Sequence, residues 1–252
     1  MKKIVFSLFL LCTVIMFVGA QTENQKLFKE AMDSLSAKAY HHTIPILKDL
    51  IQDDFMAEGN YELLVGIYML TDSIDNGIKY ATEAHQRFPE SAKFLKYNID
   101  FYSKKGDFQN AILTIEKVLV LEPNNDMLYA FLGNLHADLK NNDKALYNYN
   151  EALKRNSKNL SAQYGIGVLY VDKSVALQKQ MNELDLGDAS YDTYKKDVRV
   201  LHEKAIVALE KALAIESKNT TILSTLVQLY ASTENLEKFE VAKEKLKALR
   251  GY

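Results

Sequence analysis

Cysteine is nearly absent from this 252-residue sequence, since its single copy, Cys12, lies in an apolar amino-terminal run. Without a second cysteine the chain can form neither an internal disulfide nor a cluster of thiolates for a metal. Tryptophan is missing, and only three prolines and ten glycines interrupt the sequence. Because proline and glycine punctuate helices, their scarcity favours a mostly helical structure with short turns.

A dominant charge is also lacking, because 31 Lys and Arg residues are balanced by 33 Asp and Glu residues. Nucleic-acid-binding domains usually carry a strongly basic face. The balance therefore argues against DNA or RNA as the main partner. Hydrophobic residues make up 48% of the sequence, which is too many for a disordered chain and enough for one or two ordinary domains.

The longest apolar run, residues 4–18, follows Lys2 and Lys3 and leads into small residues that end at Ala20. It is shorter than the roughly 20 residues that a transmembrane helix needs. This arrangement is typical of a secretory signal peptide. We predict a signal over residues 1–20, cleavage after Ala20, and a mature chain without a membrane span or a cysteine. The periplasm is the expected location, secretion is a second possibility, and an uncleaved amino-terminal anchor is the alternative.

One pattern occurs three times: NAILTIEKVLVLEPNN at 110–125, KALYNYNEALKRNSKN at 144–159 and KAIVALEKALAIESKN at 204–219. The first two copies lie 34 residues apart, whereas the next interval is 60. Aligning Ala111 with Ala145 gives a frame of 34 residues. Internal repeats of this length indicate an array of small supersecondary units.

The segment from residue 126 resembles the tetratricopeptide repeat, through Tyr129, Leu132, Gly133, Ala145, Tyr149 and Ala152. The resemblance implies an all-α fold, a right-handed superhelix (α-solenoid) of helix-turn-helix units. Neighbouring units must stack, because no unit buries its apolar face alone. The predicted domain, 21–252, has six units: 24–57, 58–91, 92–125, 126–159, 160–219 with an insertion, and 220–252.

Small residues are expected where helices of this array cross closely. These are Gly133, Gly167, Ala111, Ala145, Ala205, Ala152 and Ala212.

The interval of 60 residues places 26 extra positions, about residues 172–197, inside the fifth unit. The insertion has no proline and one glycine, Gly187. Apolar residues recur at steps of three and four on both sides of that glycine, interrupted once by Ser174. This is the period of two packed helices. We predict that both helices of the fifth unit are longer by about 13 residues and form a hairpin that projects on the order of 20 Å.

Local signals also predict where individual helices begin. Pro45 falls inside the expected second helix of the first unit, which predicts a late start near Pro45 or a kink there. The sequences NLS at 159 and NTT at 219 precede helices. Ser161, and Thr220 or Thr221, are the expected caps.

Catalytic patterns do not stand out, and we expect no cofactor, no metal site and no enzymatic activity. The adjacent His41 and His42 point about 100° apart on a helix and lack a metal-binding spacing. His136 occupies a slot that tyrosine fills in other units, so core packing is expected of it rather than ligation.

The family resemblance implies a concave groove lined by the first helix of each unit. The corresponding residues here are Lys93, Lys96, Asp100, Lys104, Asn134, Asp138, Tyr164, Asp172 and Gln228. The alternative is that these side chains are only a solvated surface. A Lys/Asn/Arg clamp for peptide carboxylates, used by some members, is absent because Asp100 and Phe131 replace its asparagines.

The expected function is a non-enzymatic protein-protein interaction scaffold of the bacterial cell envelope, which binds a protein or peptide in the groove. Exported bacterial tetratricopeptide proteins with one elongated repeat are the subgroup it resembles. Two alternatives remain: a structural protein that self-associates through the hairpin, and a non-catalytic subunit of an envelope enzyme complex. The partner, the pathway and the oligomeric state are open.

Overall fold

A computed structural model describes residues 23–185 and 188–251 of the protein, and the regular elements within these ranges are all α-helices. The predicted signal peptide, 1–20, and Gly187 lie outside the described residues. The chain forms two compact units, of which the first ends at Leu121 and the second begins at Glu122. Among the described helices, none is both long and apolar enough to cross a membrane.

The described part of the first unit, residues 23–121, forms six helices. They are α1 (residues 23–36), α2 (Tyr40–Gln52), α3 (Ala57–Leu70), α4 (Ile74–Arg87), α5 (Ala92–Lys105) and α6 (Phe108–Leu121). Consecutive helices from α2 to α6 pack on each other across short turns. Their core is built on large buried side chains, including Leu47, Tyr61, Phe94 and Phe101.

Six helices are also formed by residues 122–185 and 188–251, which are the described part of the second unit. They are α7 (Asp126–Asp138), α8 (Asn142–Arg155), α9 (Leu160–Asn182), α10 (Tyr191–Ile215), α11 (Thr220–Ser232) and α12 (Leu236–Arg250). Each helix packs on the next one in sequence. The predicted all-α array of helix-turn-helix repeats is confirmed.

The elongated fifth unit is formed by α9 with 23 residues and α10 with 25, against 13 and 14 in α7 and α8. Each helix is therefore longer by about ten residues rather than by the predicted 13. The difference arises because α9 already ends at Asn182 and α10 starts only at Tyr191, so the connection takes up more of the insertion.

Ser174 does not interrupt the contact between these two long helices. It is fully buried, and its hydroxyl donates a 2.7 Å hydrogen bond to the backbone oxygen of Val171. A hydroxyl satisfied within its own helix can be buried at little cost. The packed seam continues on α10 through buried Val198 and His202.

The late start predicted for the helix around Pro45 is wrong. Helix α2 begins at Tyr40 and has Pro45 in its interior. The turn before the proline is held by Thr43, whose backbone NH and hydroxyl both donate to the backbone oxygen of Ala39, at 3.0 and 3.1 Å. Proline removes one backbone donor but leaves these bonds in place.

The caps of α9 and α11 are asparagines rather than the predicted Ser161, Thr220 or Thr221. The side-chain oxygen of Asn159 accepts from the backbone NH of Ala162 at 2.9 Å, and that of Asn219 accepts from Ile222 at 3.0 Å. An N-cap residue has extended backbone angles and bonds two or three residues ahead. Both asparagines meet that condition, with ψ near 105°, whereas the predicted residues already lie in the helix.

The small residues lie at close helix crossings, as predicted. A Cβ atom added to Gly133 would lie 2.4 Å from the ring of Tyr149, and one added to Gly167 would lie 2.6 Å from Leu209. Neither position has room for a methyl group. The alanines of the set are all fully buried: Ala111, Ala145, Ala152, Ala205 and Ala212.

We expect Gly133→Ala to destabilise the protein by about 1–3 kcal/mol, because the methyl group would overpack the crossing of α7 and α8. Gly66→Ala is the control, since Gly66 is inside α3 and a Cβ there meets nothing within 4 Å. It should stabilise the protein by up to about 1 kcal/mol through helix propensity. Urea unfolding followed by circular dichroism measures both. Equal effects of the two substitutions would contradict the packing described here.

His202 couples the stability of the second unit to pH. Its ring is buried, with Nδ1 at 2.9 Å from the hydroxyl oxygen of Ser232 at the end of α11. Burial disfavours the charged imidazolium and lowers the pKa of His202 below 6.5. In the folded protein the ring therefore binds a proton only at a lower pH than in the unfolded chain.

The free energy of unfolding is expected to fall as the pH drops from about 7 to 5, since the unfolded chain takes up the His202 proton first. His202→Gln should remove part of this dependence, whereas His41→Gln, at an exposed position of α2, should keep it. Urea unfolding at several pH values tests the difference. If the free energy of unfolding has the same slope against pH in wild type and His202→Gln, burial of this ring does not contribute to the pH dependence of stability.

Candidate functional site

The second unit contains a concave cleft of about 780 Å³, lined by residues of α7 to α10. Asn134 and Asp138 of α7 form one side. Helix α9 forms the other side over several turns, and Leu201 of α10 contributes at the hairpin. This volume lies in the range of ligand-binding pockets, about 300–1,000 Å³.

The floor of the cleft is the ring of Tyr149, which lies between two glycines. Cβ atoms added to Gly133 of α7 or Gly165 of α9 would each come within 2.4 Å of that ring. The close approach of both helices is thus possible only without side chains at these two positions. The phenol group is held as well, because it donates a 2.8 Å hydrogen bond to the side-chain oxygen of Asn134.

The buried position of Tyr149 determines the protonation state of its phenol group. Burial raises the pKa of Tyr149 to about 12, and the negative charge of Asp138 contributes in the same direction. The phenol therefore stays protonated and keeps donating to Asn134 at neutral pH. The amide nitrogen of Asn134 also lies 3.4 Å from the hydroxyl oxygen of Ser161 on α9.

Four of the five groove residues predicted in this unit line the same cleft: Asn134, Asp138, Tyr164 and Asp172. The fifth, Gln228, is exposed on α11 and does not belong to the lining. The spacing of the repeats thus brings residues from α7 and α9 to one surface. Their role in binding stays a prediction.

The four groove residues predicted in the first unit are exposed on α5: Lys93, Lys96, Asp100 and Lys104. Two of the lysines pair with carboxylates of the preceding repeat. Lys93 lies 2.7 Å from Glu62 and Lys104 lies 3.3 Å from Asp72. Exposed pairs of this kind contribute at most about 1 kcal/mol, but they neutralise the charges that a partner would otherwise meet.

Sequence reasoning missed the part of the cleft wall that lies beyond Asp172 in α9. Val175, Ala176 and Leu177 line the cleft there. A signal for them was available, because Val175 and Ala176 follow Asp172 at the helical spacing of three and four residues. They were overlooked because the family pattern ends where the insertion begins.

The histidines show no convergence on a metal. His136 is buried in α7, which agrees with the predicted core packing, and Nε2 of His42 lies 2.9 Å from a carboxylate oxygen of Glu30. Within residues 23–185 and 188–251, no group of three or more His, Cys, Asp or Glu side chains could hold an ion.

Comparison with known proteins agrees with this architecture. Residues 100–125 match the family model of the tetratricopeptide repeat. The C-terminal part of a TPR repeat-containing protein from Cytophaga hutchinsonii has a similar structure, with a TM-score of 0.63 and 14% identity, over 88% of this chain and 78% of that one. YrrB, a TPR protein with an unusual peptide-binding site, has a TM-score of 0.55 and 14% identity, over 81% and 92% of the two chains.

A curated relative is the RNA polymerase-associated protein CTR9 of Saccharomyces cerevisiae, which is 24% identical over 231 residues. The alignment includes 82% of this chain but only 19% of the relative, so the chain spans about a fifth of that protein's length. The tetratricopeptide repeat model matches residues 100–125, and the likeness to these solved structures shows the fold, an array of helix-turn-helix repeats. This fold generally serves as a scaffold for protein-protein interactions.

Proposed function

We propose that this protein is a non-enzymatic scaffold of the bacterial cell envelope that binds a polypeptide in the cleft of its second unit. The observation that carries the proposal is the convergence of Asn134, Asp138, Tyr164 and Asp172 on one concave surface. An open cleft with both apolar and hydrogen-bonding walls suits a peptide, which presents side chains of both kinds together with backbone donors and acceptors.

The rigidity of the floor supports this use of the cleft. The ring of Tyr149 packs closely against Gly133 and Gly165, and its hydroxyl is hydrogen-bonded to Asn134. A preformed surface loses little conformational entropy when a partner binds, so more of the contact energy appears as affinity.

The second candidate function, self-association through the hairpin, is favoured by apolar side chains exposed on α10. Val200 is 39% exposed and Val207 is 53% exposed. Sedimentation of the purified protein separates the two functions, because a scaffold that binds peptides in its cleft does not need to dimerise.

Peptide binding can be tested by selecting random peptides of about 12 residues, displayed on phage, against the immobilised mature protein. Ala176→Arg places a long side chain in the cleft, and we expect it to weaken binding of the selected peptides by about tenfold or more. Thr193→Arg is the matched control, because both positions are exposed on the long helices but Thr193 is outside the lining. Fluorescence polarisation gives the affinities. Failure to select peptides, or equal binding by both variants, would overturn the proposed site.

We also propose that the protein is exported, because residues 1–20 have the arrangement of a signal peptide. Export by this route removes the signal from the mature chain. Intact-mass measurement of the protein recovered from the envelope fraction of a bacterial host should give a mature chain that begins at Gln21. A species that retains Met1 would instead support an amino-terminal anchor.

A further inference from the structure

The cleft wall extends beyond the length of an ordinary repeat. A first helix of 13 residues, as in α7 and α11, would end at Asp172 if it began at Leu160. Helix α9 continues to Asn182, and five residues of this continuation line the cleft: Lys173, Val175, Ala176, Leu177 and Gln180. The long hairpin is therefore part of the cleft and not only a projection from the array.

One face of α9 runs along the whole cleft. Each member lies three or four residues from another member of the set: Gly165, Val168, Leu169, Asp172, Val175 and Ala176. Such residues share one side of a helix. The face begins at the Tyr149 floor, passes the carboxylate of Asp172, and ends on exposed apolar side chains of the extension.

The two carboxylates of the cleft are not paired with a cation of the described chain. Asp138 and Asp172 form no ion pair within the part of the chain that the structure describes. Lys173, in contrast, is 3.9 Å from Asp143, which partly neutralises it. Lys140, at the turn after α7, is the other cation of the lining. Two carboxylates without an ion pair, Asp138 and Asp172, thus stand against one such lysine, Lys140, among the described residues of the lining.

The far end of the cleft is apolar. Val175 is 57% exposed although it is a β-branched aliphatic residue inside a helix, and the lining also includes Leu177 and Leu201. Covering Val175 with an aliphatic side chain would remove this surface from water and favour binding.

We propose that the extended hairpin completes the binding cleft, and that its occupant is a polypeptide segment with a Lys or Arg beside an aliphatic residue. The cation lies against Asp138 and Asp172, and the aliphatic side chain covers Val175. This inference rests on the proposed function, since it specifies the chemistry of the polypeptide that the cleft takes.

The charge specificity is tested with the peptides selected on phage. Lys and Arg should be enriched next to an aliphatic residue in peptides selected on wild type. The enrichment should disappear in a selection on the variant that combines Asp138→Asn and Asp172→Asn. Each single substitution should weaken binding of the tightest selected peptide by about two- to fivefold. The loss should be much smaller for a version of that peptide in which Gln replaces Lys. The control Asp197→Asn, exposed on α10 outside the lining, should change neither the selected sequences nor the affinity.

The apolar end is tested with a matched pair of valines. Val175→Asn should weaken peptide binding by about tenfold, whereas Val207→Asn, at a valine of similar exposure on α10, should leave it unchanged. Both substitutions introduce asparagine into an exposed helix face, so circular dichroism should report similar folding.

The outcomes separate this inference from the proposed function. Selected peptides without enrichment of Lys or Arg, or equal effects of the two valine substitutions, would overturn the inference and leave peptide binding intact. Selection of no peptide at all would overturn both. A wild-type dimer that becomes monomeric on Val175→Asn would show that a second copy of the chain occupies the cleft, which also overturns it.

Discussion

The packing of Tyr149 between Gly133 and Gly165 is the constraint on which the cleft depends. Two helices can approach the same aromatic ring closely only because neither presents a Cβ atom there. That approach fixes the separation of α7 and α9, and the separation sets the width of the cleft. The hydrogen bond from the Tyr149 phenol to Asn134 then orients the polar side of the wall. One buried tyrosine thus links the packing of the repeats to the geometry of the surface above them.

The long hairpin gives this repeat a different cleft surface from that of a repeat of ordinary length. A helix that stopped near Asp172 would leave the cleft short and mostly polar. The continuation of α9 adds Val175 and Leu177, so one surface contains both a carboxylate cluster and an aliphatic patch. The ion pairs on α5 give the first unit a different character, because Lys93 and Lys104 are already matched with carboxylates. Ion pairs join successive repeats in both units, as between Lys93 and Glu62 or between Lys238 and Glu210. Asp138 and Asp172 of the cleft form no such pair among the described residues.

Much of the fold follows from the sequence because helix periodicity and small residues at crossings are local or regularly repeated signals. The surplus of 26 residues was enough to predict two long helices, but not where α9 ends, since that depends on the turn that follows it. The caps were assigned to Ser161 and to Thr220 or Thr221 instead of Asn159 and Asn219, because backbone angles decide shifts of one or two residues at helix ends. The predicted groove residues of α7 and α9 do share a surface. Which charges are paired could not be predicted, because pairs such as Lys93 with Glu62 join different repeats.

The central claim is that a polypeptide binds along α9 in the second unit. Methyl NMR of the valine and leucine side chains, recorded while a selected peptide is added, tests it directly. The account predicts that the signals of Val168, Val175 and Leu177 shift with saturation, while those of Val207 on α10 and Val241 on α12 stay in place. Shifts confined to Val207 and Val241, or to the helices of the first unit, would contradict it.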